Sequence, residues 1–202
     1  MSLRLPLIQE ALGTPVNQAY CQNLLKLHDL PALAQEAVAS GVIGLASAMA
    51  LAKMHQEDCL SLASVISDLR LGLNKQREVM TLASEIARLQ NQAIHEVFSI
   101  PQVALILQDT ETDRNQKAQL LRNALFCLRY PHVSAAHAAF ESHVANLALP
   151  KNIRLAPPND FEGDYFEITL RCKSLKDLQD KAAVLERLVV HPAMERIFKT
   201  ES

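Results

Sequence analysis

The sequence has no tryptophan, only five glycines and few aromatic residues. Aromatics make up 4% of the chain, whereas 49% of its residues are hydrophobic and Leu and Ala are the commonest of these. Because Leu and Ala favour helices, the composition predicts a mainly α protein. No glycine-rich loop of the kind that holds nucleotide phosphates is present, so we expect neither a cofactor nor nucleotide hydrolysis.

The chain also lacks an excess of positive charge, with 20 Lys and Arg against 22 Asp and Glu. Proteins held to nucleic acid mainly through phosphates are usually basic, so any DNA contact here must be local. Residues 1–91 carry seven Lys or Arg and eight Asp or Glu, and the remainder is equally balanced. Neither half of the chain is therefore a basic arm.

No C-x-x-C pair occurs among the four cysteines, Cys21, Cys59, Cys127 and Cys172, and no secretory leader precedes them. We expect buried, reduced thiols in a cytoplasmic protein. No apolar run approaches the roughly 18 residues that a membrane span needs, so no membrane association is predicted.

Apolar residues recur at helical spacing as far as about residue 147. The helices predicted from this spacing cover residues 5–12, 16–27, 31–40, 43–54, 56–70 and 74–91, one or two short segments within 94–109, and residues 114–128 and 134–147. Gly41 is predicted to end one helix in the left-handed conformation, and Asn74 to cap another.

The pattern changes to alternation after Pro150, which predicts strands around Ile153 and within 166–172. A helix capped by Ser174 and a short helix over 192–199 follow. The predicted fold class is a mainly α multi-helix bundle that contains a helix-turn-helix and ends in a β-β-α unit. We place domain boundaries near residues 91 and 150, giving units 1–91, 92–150 and 151–202.

Residues 7–30 (LIQEALGTPVNQAYCQNLLKLHDL) predict a helix, a tight turn and a second helix. In a helix-turn-helix, early side chains of the second helix meet base edges, and amides such as those of Asn17 and Gln18 can pair with adenine. The spacing leaves open an αα-hairpin whose polar side chains are only solvated. The residues predicted to contact DNA are Thr14, Asn17, Gln18, Tyr20, Gln22, Asn23 and Lys26, joined by Lys75 and Arg77 on the backbone.

Residues 20–31 (YCQNLLKLHDLP) resemble the recognition helix of the ParB family of DNA-segregation proteins, which ends in an N-L-L-R-L-like run and then L-P. Residues 35–51 resemble that family's next unit, and residues 71–82 (LGLNKQREVMTL) resemble its G-L-S-V-R-Q-T-E-x-L segment. Residues 152–188 are similar to the β-β-α unit through which members dimerise. The resemblance covers residues 5–91 and 151–190, in the family's order.

The resemblance implies duplex DNA binding in chromosome or plasmid partition, a homodimer, nucleoid association and, as a further partner, a partition ATPase. The family's G-x-x-R-R nucleotide-binding motif is missing. We expect the chain to be a piece that lacks this amino-terminal domain, with a short relative without nucleotide binding as the alternative. Asn17-Gln18-Ala19 stands where the family favours Ser-Arg-Ser, so an arginine that could bind guanine is absent. We therefore expect two weak half-sites joined in a dimer, with a DNA-free oligomerisation scaffold as the alternative.

Two strands and one helix are too small to be stable alone, so the β-β-α unit must pair with another copy or pack on the helices at 114–147. Pairing would extend the sheet across a two-fold axis. The residues predicted to form this dimer contact are Phe166, Ile168, Leu170, Leu178, Leu185 and Leu188.

Enzymatic chemistry is not predicted. His132, His137 and His143 are five and six residues apart, which does not place them on one helix face as H-E-x-x-H would. Glu141 near His137 is interpreted as a surface pair, and His191 before Pro192 as a helix-terminus residue.

Overall fold

The computed structural model describes residues 24–158, 161, 163 and 165–199. This part of the chain is mainly helical and includes one small antiparallel sheet, as the sequence predicts. Its contacts divide the chain into two compact units, the first ending at Arg129 and the second beginning at Tyr130. None of the helices within the described ranges is both long and apolar enough to cross a bilayer.

The first unit is described from Leu24 and Leu25, which are helical and lead into a 3₁₀ helix at Lys26–Asp29. Its α-helices are α1 (Ala32–Ala39), α2 (Leu45–Leu51), α3 (Gln56–Asp68), α4 (Leu73–Gln90), α5 (Ile94–Val97), α6 (Pro101–Gln108) and α7 (Arg114–Arg129). These bounds confirm the predicted helices from residue 31 onward, although α2 is shorter than the predicted 43–54.

Local backbone signals explain most of the helix ends. Gly41 follows α1 with φ of +74°, the left-handed conformation predicted for it. The prediction that Asn74 caps α4 is wrong, because α4 begins at Leu73 with Gly72 as its N-cap. The amide of Gln76 already donates to the carbonyl of Gly72 at 2.9 Å, so the helix starts before Asn74.

Apolar faces of these helices meet in a continuous core. Helix α3 packs on α1, α2 and α5, while α4 packs on α2, α5 and α7, and α6 packs on α7. The best-buried large side chains are Ile43, Leu51, Leu62, Ile66, Val79, Ile86, Val97, Val103, Leu121 and Leu125. The three long helices α3, α4 and α7 therefore form the framework of this unit.

Two ion pairs show that α4 and α7 run parallel. Arg122 contacts Glu78 at 2.8 Å, and Arg129 contacts Glu85 at 2.5 Å. Both pairs advance by the same seven residues on the two helices, which requires the same direction. Helices α5 and α6 form the return connection.

The second unit contains α8 (Pro131–Asn146), β1 (Ile153–Ala156), β2 (Glu167–Leu170), α9 (Leu175–Val189) and α10 (Pro192–Lys199). The strands pair antiparallel, with Ile153 opposite Leu170 and Leu155 opposite Ile168, so these four side chains share one face. The core joins this face to the helices through Phe140, Leu147, Leu155, Leu188, Ala193, Met194 and Ile197. The hairpin is thus packed within its own unit, partly on α8.

Candidate nucleic-acid interface

Most of the predicted DNA-contacting residues lie outside the described residues. These are Thr14, Asn17, Gln18, Tyr20, Gln22 and Asn23, and their role stays a prediction. The structure begins at Leu24, within the second helix predicted for 16–27. It therefore describes the end of that predicted helix and the elements that follow.

The 3₁₀ helix that carries Lys26 is held firmly on the first unit. Leu30, directly after it, is buried, and the Gln35 side-chain amide donates to the carbonyls of His28 and Leu30, both at 2.8 Å. The 3₁₀ helix also contacts α2. The Lys26 side chain is exposed on this anchored element.

Lys75 and Arg77 lie in the first turns of α4, which also contacts α2. Arg77 is exposed and Lys75 is half-buried. Within the described ranges, neither of these cations nor Lys26 forms an ion pair with an acidic side chain. Three positive charges without an acidic partner among the described residues therefore lie on two elements that both contact α2.

A buried glutamine between the two cations fixes this end of α4. Gln76 is 1% exposed, and its Nε2 donates to the carbonyls of Val42 and Leu71, both at 2.7 Å. Its Oε1 accepts from the Gly44 amide at 3.1 Å. One side chain therefore ties α4 to the 42–44 turn and to the end of the α3–α4 connection.

Sequence reasoning missed Gln76, although a signal existed. Gln76 stands one turn before Val79 and Met80 on the buried side of α4, where an apolar residue is expected. A polar residue that interrupts an apolar stripe must find hydrogen-bond partners when it is buried. Its position predicts a buried node, but not which backbone groups it binds.

Gly44 leaves room for the end of the Leu73 side chain. A Cβ atom at Gly44 would collide with Leu73 Cδ2. Gly44 is also the residue that precedes α2. The start of α2 and the start of α4 are therefore locked together beside Lys75 and Arg77.

The predicted dimer residues divide into two groups. Leu188 is buried, and Phe166 and Leu185 are partly buried against the core of the second unit. The Phe166 ring stacks on Phe140 with centroids 5.9 Å apart. Ile168 and Leu178 keep substantial exposure, and Leu170 is half-buried. Pairing with a second copy through these six residues stays a prediction.

Helix α9 carries an exposed apolar stripe that extends beyond the predicted residues. Leu175, Leu178, Ala182, Leu185 and Val189 are spaced by three and four residues in turn, and all but Leu185 are exposed. Lys181 faces inward instead: its Nζ donates to the Arg171 carbonyl at 2.8 Å and pairs with Asp177 at 2.5 Å. Burial of Lys181 turns the apolar stripe toward solvent.

A histidine–carboxylate contact links α3 and α5. His95 Nδ1 lies 2.9 Å from Asp58 Oδ1, which also accepts from the His95 backbone amide at 2.9 Å. The hydrogen bond to Asp58 raises the pKa of His95, and the charge of Glu57, 3.6 Å from Nε2, acts in the same direction. We interpret the contact as a link between two helices.

The remaining histidines do not gather into a site. His137 meets the edge of Phe161, with ring centroids 4.8 Å apart, as a packing contact. Across the described part of the chain, no three His, Cys, Asp or Glu side chains are arranged to hold a metal.

No protein-family model, no curated protein and no solved structure matches this chain.

Proposed function

We propose that the chain is a ParB-like protein that binds duplex DNA in chromosome or plasmid partition. In this proposal the predicted helix that begins near Asn17 enters a major groove, and Lys26, Lys75 and Arg77 contact the backbone. The second unit holds two copies together, which joins two weak half-sites. Such a protein would associate with the nucleoid, with a partition ATPase as a further expected partner.

The observation that supports the proposal is that Lys26, Lys75 and Arg77, none of which pairs with an acidic side chain within the described residues, lie on elements that contact α2. Two other basic residues of the first unit, Arg122 and Arg129, are engaged by acidic residues of α4. Lys26, Lys75 and Arg77 are left to meet phosphates, on elements anchored by Gln35 and Gln76. A nearly neutral chain can bind DNA through such a local group, because each cation that contacts a phosphate releases a counterion.

A matched pair of arginines on α4 allows a sharp test. Arg77 and Arg88 are both exposed and lie on nearly the same face, roughly 16 Å apart along the axis for eleven residues at 1.5 Å each. Binding to duplex DNA should weaken as salt rises, and Arg77→Gln should reduce the salt slope by about 1, whereas Arg88→Gln should leave it unchanged. Equal slopes for both variants would refute the phosphate contact at Arg77.

The exposed stripe of α9 supports the self-association part of the proposal. Its spacing is that of a coiled-coil seam, and a helix of this kind buries its apolar residues against another helix. Leu175 is 73% exposed, an unfavourable state for a Leu that continues an apolar stripe. We propose that two α9 helices pair through this stripe.

Sedimentation of the full chain tests this pairing. Leu175→Gln combined with Leu178→Gln should shift the protein toward the monomer, because two apolar contacts are lost from the interface. Leu105→Gln is the matched control, since Leu105 is 69% exposed but lies on α6 of the first unit. A monomeric wild-type chain, or equal association of all variants, would contradict the pairing.

The second candidate function is a non-catalytic scaffold without DNA binding. The same α9 stripe favours it, because self-association requires no DNA. If the chain dimerises but does not bind duplex DNA at low salt, the result would favour the scaffold function.

A further inference from the structure

We propose that the groove between α2 and α4 is the docking site for the predicted helix at residues 5–12 of this same chain. The groove has a volume of about 490 Å³. Its walls include Leu45, Ala46 and Ala50 on the α2 side and Leu73 and Met80 on the α4 side.

The groove is mostly apolar, although Arg77, Thr81, Ser84 and Glu85 also line it, and part of its rim is exposed. Leu45 and Leu73 both keep large exposed areas in the described structure, and Leu73 is 63% exposed. The α2 wall includes the small residues Gly44, Ala46, Ser47 and Ala50, so a helix can approach its backbone closely. Such a surface is stabilised when another apolar helix covers it.

The position of the chain identifies the occupant. The described structure starts at Leu24, and the 3₁₀ helix that follows contacts α2, the wall of the groove. The described part of the chain therefore begins next to an element that contacts α2. The twelve residues from Leu12 to Leu24 span about 18 Å if helical and about 40 Å if extended, so residues 5–12 can reach the groove.

The sequence of that segment fits the surface. Leu5, Ile8 and Leu12 recur at spacings of three and four residues, which places them on one side of the predicted helix. The opposite side carries Glu10, which can remain in water, and also Leu7. Burying the three apolar side chains against α2 and α4 would offset the cost of ordering a short helix.

Docking has a consequence for the proposed function. The tight turn at 13–15 would be held beside α2, and the helix that begins near Asn17 would be fixed between the groove and the anchored Lys26. Residues that never contact DNA would then determine how this helix faces the duplex. This consequence rests on the proposed DNA binding, whereas the docking does not.

Hydrogen–deuterium exchange of the full chain tests the docking. Amides within residues 5–12 should exchange at least about tenfold more slowly than in an unfolded peptide. Combining Leu45→Gln with Leu73→Gln should remove about tenfold of this protection, because two apolar contacts on the rim are lost. Leu89→Gln is the matched control: Leu89 is 61% exposed on the same helix but lies outside the groove, and protection should be unchanged.

Three results would overturn the inference. Residues 5–12 could exchange as fast as an unfolded peptide, keep full protection in the double variant, or lose protection on dilution, which would place a second copy in the groove. Amides of α3 serve as the folding control and should stay protected in every variant. Loss of DNA binding with intact docking would refute the proposed function alone, and loss of docking with intact DNA binding would refute this inference alone.

Discussion

Replacement of Gln76 by alanine should destabilise the closed form of the first unit. The change removes three hydrogen bonds, to the amide of Gly44 and to the carbonyls of Val42 and Leu71. At roughly 1 kcal/mol of net stabilisation each, losing these hydrogen bonds costs about 3 kcal/mol. The cavity left by the shorter side chain increases this cost, and the better helix propensity of Ala reduces it slightly. Because 1.4 kcal/mol corresponds to a factor of ten, the population of opened molecules should rise roughly a hundredfold.

The native thiols provide the assay. Cys59 on α3 is buried and burial raises its pKa, so it is labelled by a thiol reagent only when the unit opens. The exposed Cys172 of the second unit is the internal reference. Labelling followed by peptide mass spectrometry should show Cys59 modified roughly a hundredfold faster in Gln76→Ala, provided that closing is faster than labelling.

Two comparisons make the result decisive. Gln90→Ala, at the exposed end of the same helix, should leave Cys59 labelling unchanged. Gln76→Glu should be at least as damaging as Gln76→Ala, because an anion would then face two carbonyl oxygens. A less than threefold change in Gln76→Ala would refute the reasoning that this side chain holds the start of α4.

Two further predictions concern charged contacts. The pKa of His95 is raised in the folded protein. Its contact with Asp58 therefore stabilises the fold fully below the unfolded-state pKa of about 6.5. This stabilisation is lost as the pH rises through the pKa of His95 in the folded state. Asp58→Asn should lower the His95 pKa in an NMR titration and reduce this pH dependence; an unchanged pKa would contradict the assigned cause. A double-mutant cycle on Arg122 and Glu78, measured by urea unfolding, should give a coupling of about 1 kcal/mol, since both side chains are partly buried. Zero coupling would show that the pair does not help to hold α4 on α7.

The spacing of apolar residues, together with Pro and Gly at helix ends, predicted most of the described fold. Alternation at residues 153–155 and 166–172 predicted the two strands, and Pro192 at a first turn predicted the start of α10. Gly41 predicted a left-handed helix end. These signals are local, so they do not depend on which elements become neighbours.

The failures involve polar residues whose roles depend on tertiary partners. Asn74 has the side chain of a cap, but the first hydrogen bond of α4 forms at Gly72. Lys181 is buried because the Arg171 carbonyl and Asp177 satisfy its ammonium group. The spacing of apolar residues on α9 does not indicate that a lysine between them is buried.

The candidate site also contains residues that sequence patterns predicted and one residue that they did not. The run at 20–31, which resembles the ParB recognition helix, predicted Lys26 as a DNA contact. The segment at 71–82 predicted Lys75 and Arg77. Gln76, which fixes the two latter residues, belongs to no DNA-binding pattern. Its importance depends on the backbone groups of the 42–44 turn, which are more than 30 residues away.

We propose that the helix beginning near Asn17 meets base edges through its amide side chains. Selection of bound duplexes from a random pool by the full chain, at low salt, tests it most directly. We predict an enriched site containing adenine for the wild type and for the exposed α7 control Gln116→Ala, and a changed or lost preference for Gln18→Ala. Absence of any enriched sequence, or the same preference in all three proteins, would contradict the account.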